Sequence, residues 1–535
     1  MKRIYLVAAA FCAVTLSNAQ VFWTHTTYRG AFPVTDNTPA TDWTDGWTNF
    51  DPESTVYGAP VTTISSDITS NTTWSGTILL QNKVYVKNGA VLTIQPGTVI
   101  RGDKSTQATL IITRGAKIMA AGTASAPIVF TSNEPEGNRA EGDWGGVVIL
   151  GKATNNQPGG VANIEGIAPA ADTEFGGSDD NDNSGQISYV RIEFAGIALQ
   201  PNKEINGITF GSVGRATRVD HVQVSFSGDD SFEWFGGTVN ASHLVSYRGI
   251  DDDFDTDFGF RGNVQFGLVI RDPNFSDAAG DSNAFESDND ATGSSSTPMT
   301  QAIFSNFTII GPKGNGSVSL PLGETFEKSF RIRRNSGISV CNSISAGWQK
   351  GLSIEGSAAE GNFTSGAAKF AGNILAGYSP GSTIVTAAHS FYSTFFGSNG
   401  NDSTVAVSQL GFAGGFTALG TKPDFRLSAS SPAASGAVFA SSLFGHDFVG
   451  LPAEKRITGT LVSPNPSDQS VTLTGITGEA IISICDLTGK QLPLIMYKNT
   501  SGEAVVSTTD LQNGVYFVLV ETTSSKETVK LIVRH

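Results

Sequence analysis

Short runs of alternating apolar and polar residues, broken by glycine or Pro-Gly, recur between about residues 61 and 450. Segments 84–102, 110–132 and 143–151 each contain strands of Val, Ile and Leu of this kind. None of these segments keeps a helical period of about 3.6 residues over a useful length. Alternation with a period of two predicts strands, and the glycines between them predict turns. The chain is therefore expected to be all-β.

One phrase returns along the middle of the chain, as "HVQVSFSG" at 221–228 and "HLVSYRG" at 243–249. The offset of 22 residues continues beyond it, so that Glu233 is matched by Asp255. Repeats of roughly 20–50 residues stack into units that bury a core only jointly. Because each unit contains strands and turns but no helix, residues 61–450 are predicted to form a right-handed parallel β-helix. A propeller would require longer and more evenly spaced units.

Residues 460–535 have a different pattern, in which short apolar alternations are separated by Gly, Asn, Pro and Ser-Ser. This pattern predicts a small antiparallel β-sandwich. Four motifs occur in order: Pro-Asn-Pro at 464–466, Asp-Leu-Thr-Gly-Lys at 486–490, Leu-x-x-Gly-Val-Tyr at 511–516 and Lys-Leu-Ile-Val at 530–533. In these motifs and their order, the segment resembles the C-terminal sorting domain of the type IX secretion system of Bacteroidetes.

That resemblance implies export through the type IX secretion machinery. It also implies that the terminal domain is removed on export and that the new end is joined to a surface lipopolysaccharide. The cut is expected in the linker at 451–459.

The N-terminus agrees with export. A basic start precedes a short apolar run that ends in small residues, which predicts a cleavable signal peptide over 1–19. Residues 20–60 are expected to form a lead-in or cap. No later segment approaches the roughly 20 apolar residues that a membrane span requires, so no transmembrane segment is expected. The protein is therefore predicted to pass through the periplasm and to be secreted or attached to the outer cell surface.

The predicted β-helix also carries phrases of known families. "NGAVLTIQPGTVI" and "GTASAPIVFTS" are similar to phrases of secreted bacterial parallel β-helix proteins. The stretches "SFSGDDSFEWFGGTVN" (225–240) and "GIDDDFDTDFGFRG" (249–262) resemble a family of surface proteins and lipoproteins, most of them uncharacterised. These resemblances imply an exported β-helix and bring no established activity with them.

Charge and cysteine content limit the partners and the means of stabilisation. The chain has 49 acidic and 34 basic residues, which gives a formal net charge of −15. This balance argues against nucleic acid and anionic lipid as partners and favours cation binding. Beyond the signal peptide the cysteines are Cys341 and Cys485, one in each predicted domain. No disulfide is expected between them.

Acidic residues concentrate in residues 220–290, which contain 15 Asp or Glu and three Arg. Stacked coils would bring the like charges to about 5 Å from one another, where they raise each other's pKa or require a cation. Calcium is the expected cation, because it takes six to eight oxygen ligands in a flexible geometry. The alternative is a solvated acidic face. The candidate ligands are Asp229, Asp230, Glu233, Asp251, Asp252, Asp253, Asp255, Asp257, Asp281, Glu286, Asp288 and Asp290. A second acidic run at 179–183 is expected to be a solvated turn.

Two classes of function stay open. The first is a non-enzymatic protein that binds glycan, matrix or a partner, with calcium stiffening its acidic coils. The second is a polysaccharide lyase or glycoside hydrolase of the parallel β-helix class. Gly228-Asp229-Asp230 resembles part of the polygalacturonase signature, but the other motifs of that group are missing as an ordered set. A lyase would need calcium beside a basic residue such as Arg331, Arg333 or Arg334. These arginines are expected instead to pair with the acidic coils or to lie at a solvated edge.

Histidines and aromatic residues recur in the same region. His221 and His243 occupy equivalent repeat positions and are expected to stack as a structural pair, since zinc would require further His or Cys ligands. Aromatic rings could stack on sugars, yet a β-helix must place alternate rings in its core. Burial is therefore expected for most of Phe226, Phe232, Trp234, Phe235, Phe254, Phe258 and Phe260.

Overall fold

A computed structural model describes most of residues 22–439 and 461–534. Outside the described set lie 1–21, 37, 201–202, 279, 315, 317, 380, 385–395, 416–418, 440–443, 445–460, 464–468, 475–479, 486–490, 493–495, 499–503, 510, 523–525 and 535. The predicted signal peptide and the linker at 451–459 therefore fall outside the described residues. The chain divides into two compact units, Met1–Phe439 and Ala440–His535.

Strands make up most of the regular structure of the first unit. They are β1 (Thr62–Ile64), β2 (Thr72–Trp74), β3 (Thr77–Leu80), β4 (Lys83–Val86), β5 (Val91–Ile94), β6 (Val99–Gly102), β7 (Thr109–Ile112), β8 (Lys117–Ala121), β9 (Ile128–Ser132), β10 (Gly146–Leu150), β11 (Val161–Asn163), β12 (Glu174–Gly176), β13 (Gly185–Glu193), β14 (Ala198–Gln200), β15 (Lys203–Glu204), β16 (Ile208–Gly211), β17 (Arg218–Ser225), β18 (Phe232–Phe235), β19 (Asn240–Tyr247), β20 (Phe254–Asp257), β21 (Asn263–Ile270), β22 (Phe285–Ser287), β23 (Ile303–Ile310), β24 (Lys328–Ile332), β25 (Ser339–Cys341), β26 (Ile344–Ala346), β27 (Lys350–Ile354), β28 (Phe370–Ala371) and β29 (Ile374–Ala376). Among the described residues lie an α-helix, α1 (Ser357–Thr364), and 3-10 turns at Pro39–Thr41, Pro158–Gly160, Ala171–Thr173, Val407–Gln409 and Pro432–Ala434.

Successive coils of the first unit add strands to two large parallel sheets. Within the described residues the larger sheet has 16 strands and the smaller has nine. In the larger sheet β13, β17, β19, β21 and β23 are neighbours in that order, and in the smaller sheet β16, β18, β20, β22 and β24 are neighbours. The pairs β17–β19 and β18–β20 keep the 22-residue offset and are parallel. The predicted all-β fold and parallel β-helix are confirmed.

Stacked phenylalanine rings fill the interior beneath the smaller sheet. Phe232, Phe254, Phe285 and Phe330 are 0% exposed, and the ring centroids of successive members are 5.3, 5.1 and 5.2 Å apart. Each fully buried ring contributes about 1.5–3 kcal/mol relative to an exposed one. Equivalent positions of consecutive coils thus form a continuous apolar column, which also fixes the register of the residues between them.

The long strands β13, β17, β19 and β21 each bend at one residue, and these four residues occupy equivalent positions in successive coils. Tyr189, His221, His243 and Phe266 have φ of 51°, 57°, 57° and 65°, in the left-handed region. Their rings form one column with centroid spacings of 4.4, 4.3 and 5.0 Å. Left-handed backbone costs a non-glycine residue roughly 1–2 kcal/mol, so we attribute its recurrence here to the stacking.

Residues 22–50 and 405–439 cover the outer face of the larger sheet. Gln265 holds the backbone of Thr24 by accepting from its N–H and donating to its C=O, both at 2.7 Å. Two further side-chain amides act in the same way, Gln223 on Asn49 and Asn342 on Val438. The shared apolar cluster includes Phe32, Trp47, Leu268, Ile310 and Leu427. Much of the predicted lead-in therefore lies along the side of the β-helix.

The second unit consists of two antiparallel sheets, in agreement with the predicted sandwich. Its strands are β30 (Leu461–Ser463), β31 (Ser470–Thr474), β32 (Ala480–Cys485), β33 (Gln491–Leu492), β34 (Met496–Lys498), β35 (Ala504–Ser507), β36 (Gly514–Thr522) and β37 (Lys526–Val533). The sheets run β30–β31–β35–β34 and β33–β32–β36–β37. Val471, Leu473, Ile484, Val518 and Leu531 belong to its own core. The motifs at 464–466 and 486–490 lie outside the described residues.

Cys341 is buried, Cys485 is partly buried, and both are free thiols. No helix among the described residues is long and apolar enough to cross a membrane.

Candidate metal site in the acidic coils

The smaller sheet aligns acidic side chains in one outward column. Glu233 of β18 pairs with Asp255 of β20, Asp255 pairs with Glu286 of β22, and Glu286 pairs with Arg331 of β24. Thr209 of β16 precedes Glu233 in the same column. The stacking predicted from the 22-residue offset is confirmed. The run of acidic side chains in this column ends at the positively charged Arg331.

Carboxylates at one end of this column form a compact cluster. Ligand oxygens of Asp230, Glu233 and Asp255 lie within 4.8 Å of one another, and the same holds for Asp229, Asp230 and Asp251. Asp230 belongs to both groups. It is 7% exposed, Glu233 is 4% exposed, and Asp255 Oδ1 is buried without a hydrogen-bond partner in the described part of the chain. Three carboxylates from two consecutive coils thus converge on one partly closed space.

Burial dominates the protonation behaviour of this cluster. It raises the pKa of four carboxyls well above their usual range, and neighbouring carboxylates add to the effect: Asp230, Glu233, Asp252 and Asp255. Burial also raises the pKa of Asp251 and of Asp257 to about 7. In the absence of a cation the protein therefore favours protonated forms of these groups near neutral pH.

The corners before β18, β20 and β22 carry a ladder of side-chain acceptors, which we call the corner ladder. Asp230 Oδ1 accepts from the backbone N–H of Asp252 at 2.9 Å. Asp252 Oδ1 accepts from the backbone N–H of Asn283 at 2.6 Å, and Asn283 Oδ1 accepts from that of Lys328 at 3.2 Å. Each side chain therefore ties its coil to the next one and fixes the position of the acids.

A buried arginine holds the turn that carries Asp251 and Asp252. The Arg271 side chain is 0% exposed, and its Nε lies 2.9 Å from Asp253 Oδ2. Its other donors reach the backbone carbonyls of residues 249–251 and of Asn283. Asp253 thus compensates Arg271 in an ion pair. Sequence reasoning did not assign a role to Arg271, since an isolated arginine carries no repeat signal.

The other end of the acidic column is neutralised by arginines, as predicted. Arg331 Nη1 lies 2.5 Å from Asp281 Oδ2 and 3.1 Å from Glu286 Oε2. Arg333 contacts Glu286 and pairs with Asp288 at 2.9 Å, and Arg334 pairs with Asp288 at 2.6 Å. Asp281, Glu286 and Asp288 therefore have arginine partners, and none of the three belongs to the oxygen groups around Asp230.

Asp290 and Asp180 accept hydrogen bonds away from the cluster around Asp230. Asp290 Oδ1 accepts from Thr292 N–H at 2.9 Å and from Ser294 N–H at 3.1 Å. Burial opposes ionisation, but hydrogen bonds from the hydroxyls of Ser294 and Thr292, together with those from the two backbone N–H groups, prevail and lower the pKa of Asp290 to about 2. In the run at 179–183, Asp180 pairs with Arg261 at 3.1 Å. That run is thus partly tied into the fold rather than a purely solvated turn.

The two histidines stack on each other, and their ligand atoms and those of Asp220 lie within 4.8 Å of one another. The rings of His221 and His243 are 4.3 Å apart with an interplanar angle of 21°, so one ion cannot lie in both ring planes, where the nitrogen lone pairs point. Both Nδ1 atoms face Asp220 Oδ1, at 3.0 and 2.8 Å. The predicted stacking of the two rings is confirmed.

The aromatic residues of the acidic stretch are largely interior. Phe226, Phe232, Trp234, Phe235, Phe254 and Phe260 are all at most 7% exposed, while Phe258 is partly buried against Phe235. Burial of most of these rings was predicted. They are therefore not a platform for stacking sugars.

Fold and cluster together define an exported parallel β-helix with an acidic, partly neutralised face. Residues 62–411 match the pectate-lyase-like β-helix domain, and residues 461–534 match the secretion system C-terminal sorting domain. Neither a curated protein nor a solved structure gave a match to the chain. Because the first match covers well over half of the sequence, the chain belongs to the family of pectate-lyase-like β-helix domains. Its sorting domain directs it through the type IX secretion system to the cell surface or the extracellular space.

Proposed function

We propose that this exported β-helix is a non-enzymatic protein whose acidic coils bind calcium and whose surface binds glycan, matrix or a partner protein. The observation that carries the calcium part is the cluster of Asp230, Glu233 and Asp255. Their ligand oxygens lie within 4.8 Å of one another. Buried carboxylates at this distance are costly to ionise unless a cation compensates them.

The donor set of the cluster fits calcium better than a transition metal. Its oxygens come from flexible carboxylates on consecutive coils, and calcium accepts six to eight oxygens in variable geometry. Zinc and copper prefer imidazole and thiolate donors, whereas the oxygen groups around Asp230 contain neither a histidine nor a cysteine. Calcium sites of extracellular modules bind with Kd values on the order of 10⁻⁴–10⁻³ M, and we expect this range here.

The arginines beside the acidic column argue against the lyase alternative. A general base must lose its proton near the working pH. Burial lowers the pKa of Arg333, but Glu286 and Asp288 outweigh it and raise that pKa above its ordinary value. Arg331 is engaged with Asp281, Glu286 and Glu355. These arginines therefore compensate charge, and the glycan part of the proposal rests on the family and on export.

Thermal unfolding tests the calcium part. The melting temperature of the chelator-treated protein is expected to rise with added calcium, because a ligand that binds only the folded state stabilises it. At a free calcium concentration of about a hundred times the Kd the gain is about 2.7 kcal/mol. A melting temperature that stays unchanged up to that calcium concentration would contradict the proposal.

A panel of polysaccharides tests the surface part. Binding to one or more of them without release of reducing or unsaturated sugars is the expected result. Product release that disappears in Arg333→Ala would replace this proposal by the lyase alternative.

A further inference from the structure

Asn206 occupies the position of the corner ladder one coil before Asp230, but its side chain makes different hydrogen bonds from those of the other ladder residues. Ile208 pairs with Phe232, Phe232 with Phe254, and Phe254 with Phe285. Two residues before these positions stand Asn206, Asp230, Asp252 and Asn283. The last three each accept a hydrogen bond from a backbone N–H of the next coil.

The Asn206 carboxamide does not follow this pattern. The residue is 1% exposed, and its Oδ1 has no hydrogen-bond partner among the described residues. Its Nδ2 donates instead to Thr209 Oγ1 at 3.2 Å and to the carboxylate of Glu233. The Asn206 side chain therefore makes no hydrogen bond to the backbone of the next coil, and its Nδ2 contacts the acidic cluster through Glu233. A buried carbonyl oxygen without a partner is uncommon and calls for an explanation.

We infer that Asn206 is a neutral oxygen ligand of the calcium site, an assignment that rests on the function proposed above. A half-turn about the Cβ–Cγ bond exchanges Oδ1 and Nδ2. Oδ1 then lies beside Glu233, where the hydroxyl of Thr209 donates to it and a cation binds both oxygens. Calcium accepts amide oxygens together with carboxylates. Asp230, Glu233, Asp255 and Asn206 thus supply protein oxygens from three consecutive coils.

Calorimetric titration of the chelator-treated protein with calcium chloride tests this assignment. Asn206→Leu keeps the approximate size of the side chain and removes its oxygen, and Asn206→Ala is the second variant. Both are expected to bind calcium at least about tenfold more weakly than the parent, in line with the effect of removing groups around a metal. Both should still fold without calcium, because removal of the unpartnered oxygen offsets the lost hydrogen bonds from Nδ2 to Thr209 and Glu233.

Asn373→Leu is the matched control. Asn373 is also a fully buried amide, but its Oδ1 accepts from Ser343 N–H at 2.9 Å and its Nδ2 donates to Val340 O at 2.8 Å. This variant should lose stability with and without calcium and keep the parent's calcium affinity.

Three results overturn the assignment, and they are distinguishable. Unchanged calcium affinity in both Asn206 variants, with a calcium-binding parent, refutes the ligand role alone. Failure of both variants to fold without calcium shows that Asn206 is a structural residue. No calcium binding by the parent refutes this assignment and the proposed calcium site together.

Discussion

Asp230 and Asp252 perform a backbone hydrogen-bonding task that Asn283 performs without a charge. The carboxylates are therefore not required by the ladder itself. In the metal-free protein each of them adds repulsion to a buried cluster. In the calcium-bound protein the same charge provides a ligand or compensates the cation. A cation site therefore explains why Asp230 and Asp252 are aspartates rather than asparagines.

Exchange of Asp252 and Asp255 for asparagine tests this reasoning. The double variant D252N/D255N should keep its ladder hydrogen bond, lose most of the calcium-dependent rise in melting temperature, and melt at or above the parent without calcium. Asp179→Asn, at an exposed acid outside the cluster, is the control and should keep the calcium response. Scanning fluorimetry with calcium and with chelator measures both effects. A full calcium response in the double variant would count against the site.

The raised pKa values also determine the sign of the pH dependence. For Asp251 and Asp257 the folded-state pKa is about 7, while the unfolded value is about 3.9. Between these values the folded state binds more protons, so metal-free stability should fall as pH rises from about 4 through 7. The calcium-dependent gain should grow over the same range, because binding releases protons. Melting temperatures measured in chelator across this range would contradict the account if they rose with pH.

At the residue scale, the sequence predicted which acidic residues come together in the coils. It did not predict which of them form the oxygen cluster and which pair with arginines. The 22-residue offset brought Glu233 next to Asp255, and pairing confirms that contact. Asn206 was missed because it is neutral and stands 24 residues before Asp230 rather than 22. Asn206 could have been found by a different pattern, because each ladder residue stands two positions before a buried aromatic or aliphatic side chain. The geometry of the turns determines which acids pair with Arg271 and Arg333. A repeat pattern carries no information about that geometry.

Elements of this fold depend on their neighbours, because a single coil buries its apolar residues only against the coils beside it. Alternation and repeat length therefore predicted the strands and the parallel stacking well. The cover formed by residues 22–50 was less predictable. It is held by outward amides such as Gln223 and Gln265, whose spacing has no periodic signature.

Phe254 tests the element scale. Its ring stacks between Phe232 and Phe285, so Phe254→Ala should cost about 3–5 kcal/mol. Phe254→Leu, which keeps much of the volume, should cost clearly less. Urea unfolding monitored by circular dichroism gives both values. A cost below about 1 kcal/mol for the alanine variant would show that this column does not support the coils.

The whole molecule combines a folded β-helix unit with a sorting unit that has a core of its own. Deletion of residues 460–535 should therefore leave the β-helix folded but retained in the periplasm. Fractionation of the producing cells, with protease resistance as the test of folding, measures both properties. Normal surface appearance of the truncated protein would be inconsistent with a sorting role for the deleted unit.

The central claim is that the acidic coils are a calcium site rather than a solvated face, and direct binding tests it best. Calorimetric titration of chelator-treated parent protein with calcium should give saturable binding, with a Kd on the order of 10⁻⁴–10⁻³ M. Asp230→Asn, which changes the carboxylate shared by both oxygen groups, should abolish that binding while the protein stays folded. Absence of saturable heat in the parent, or undiminished binding in the folded variant, would contradict the account.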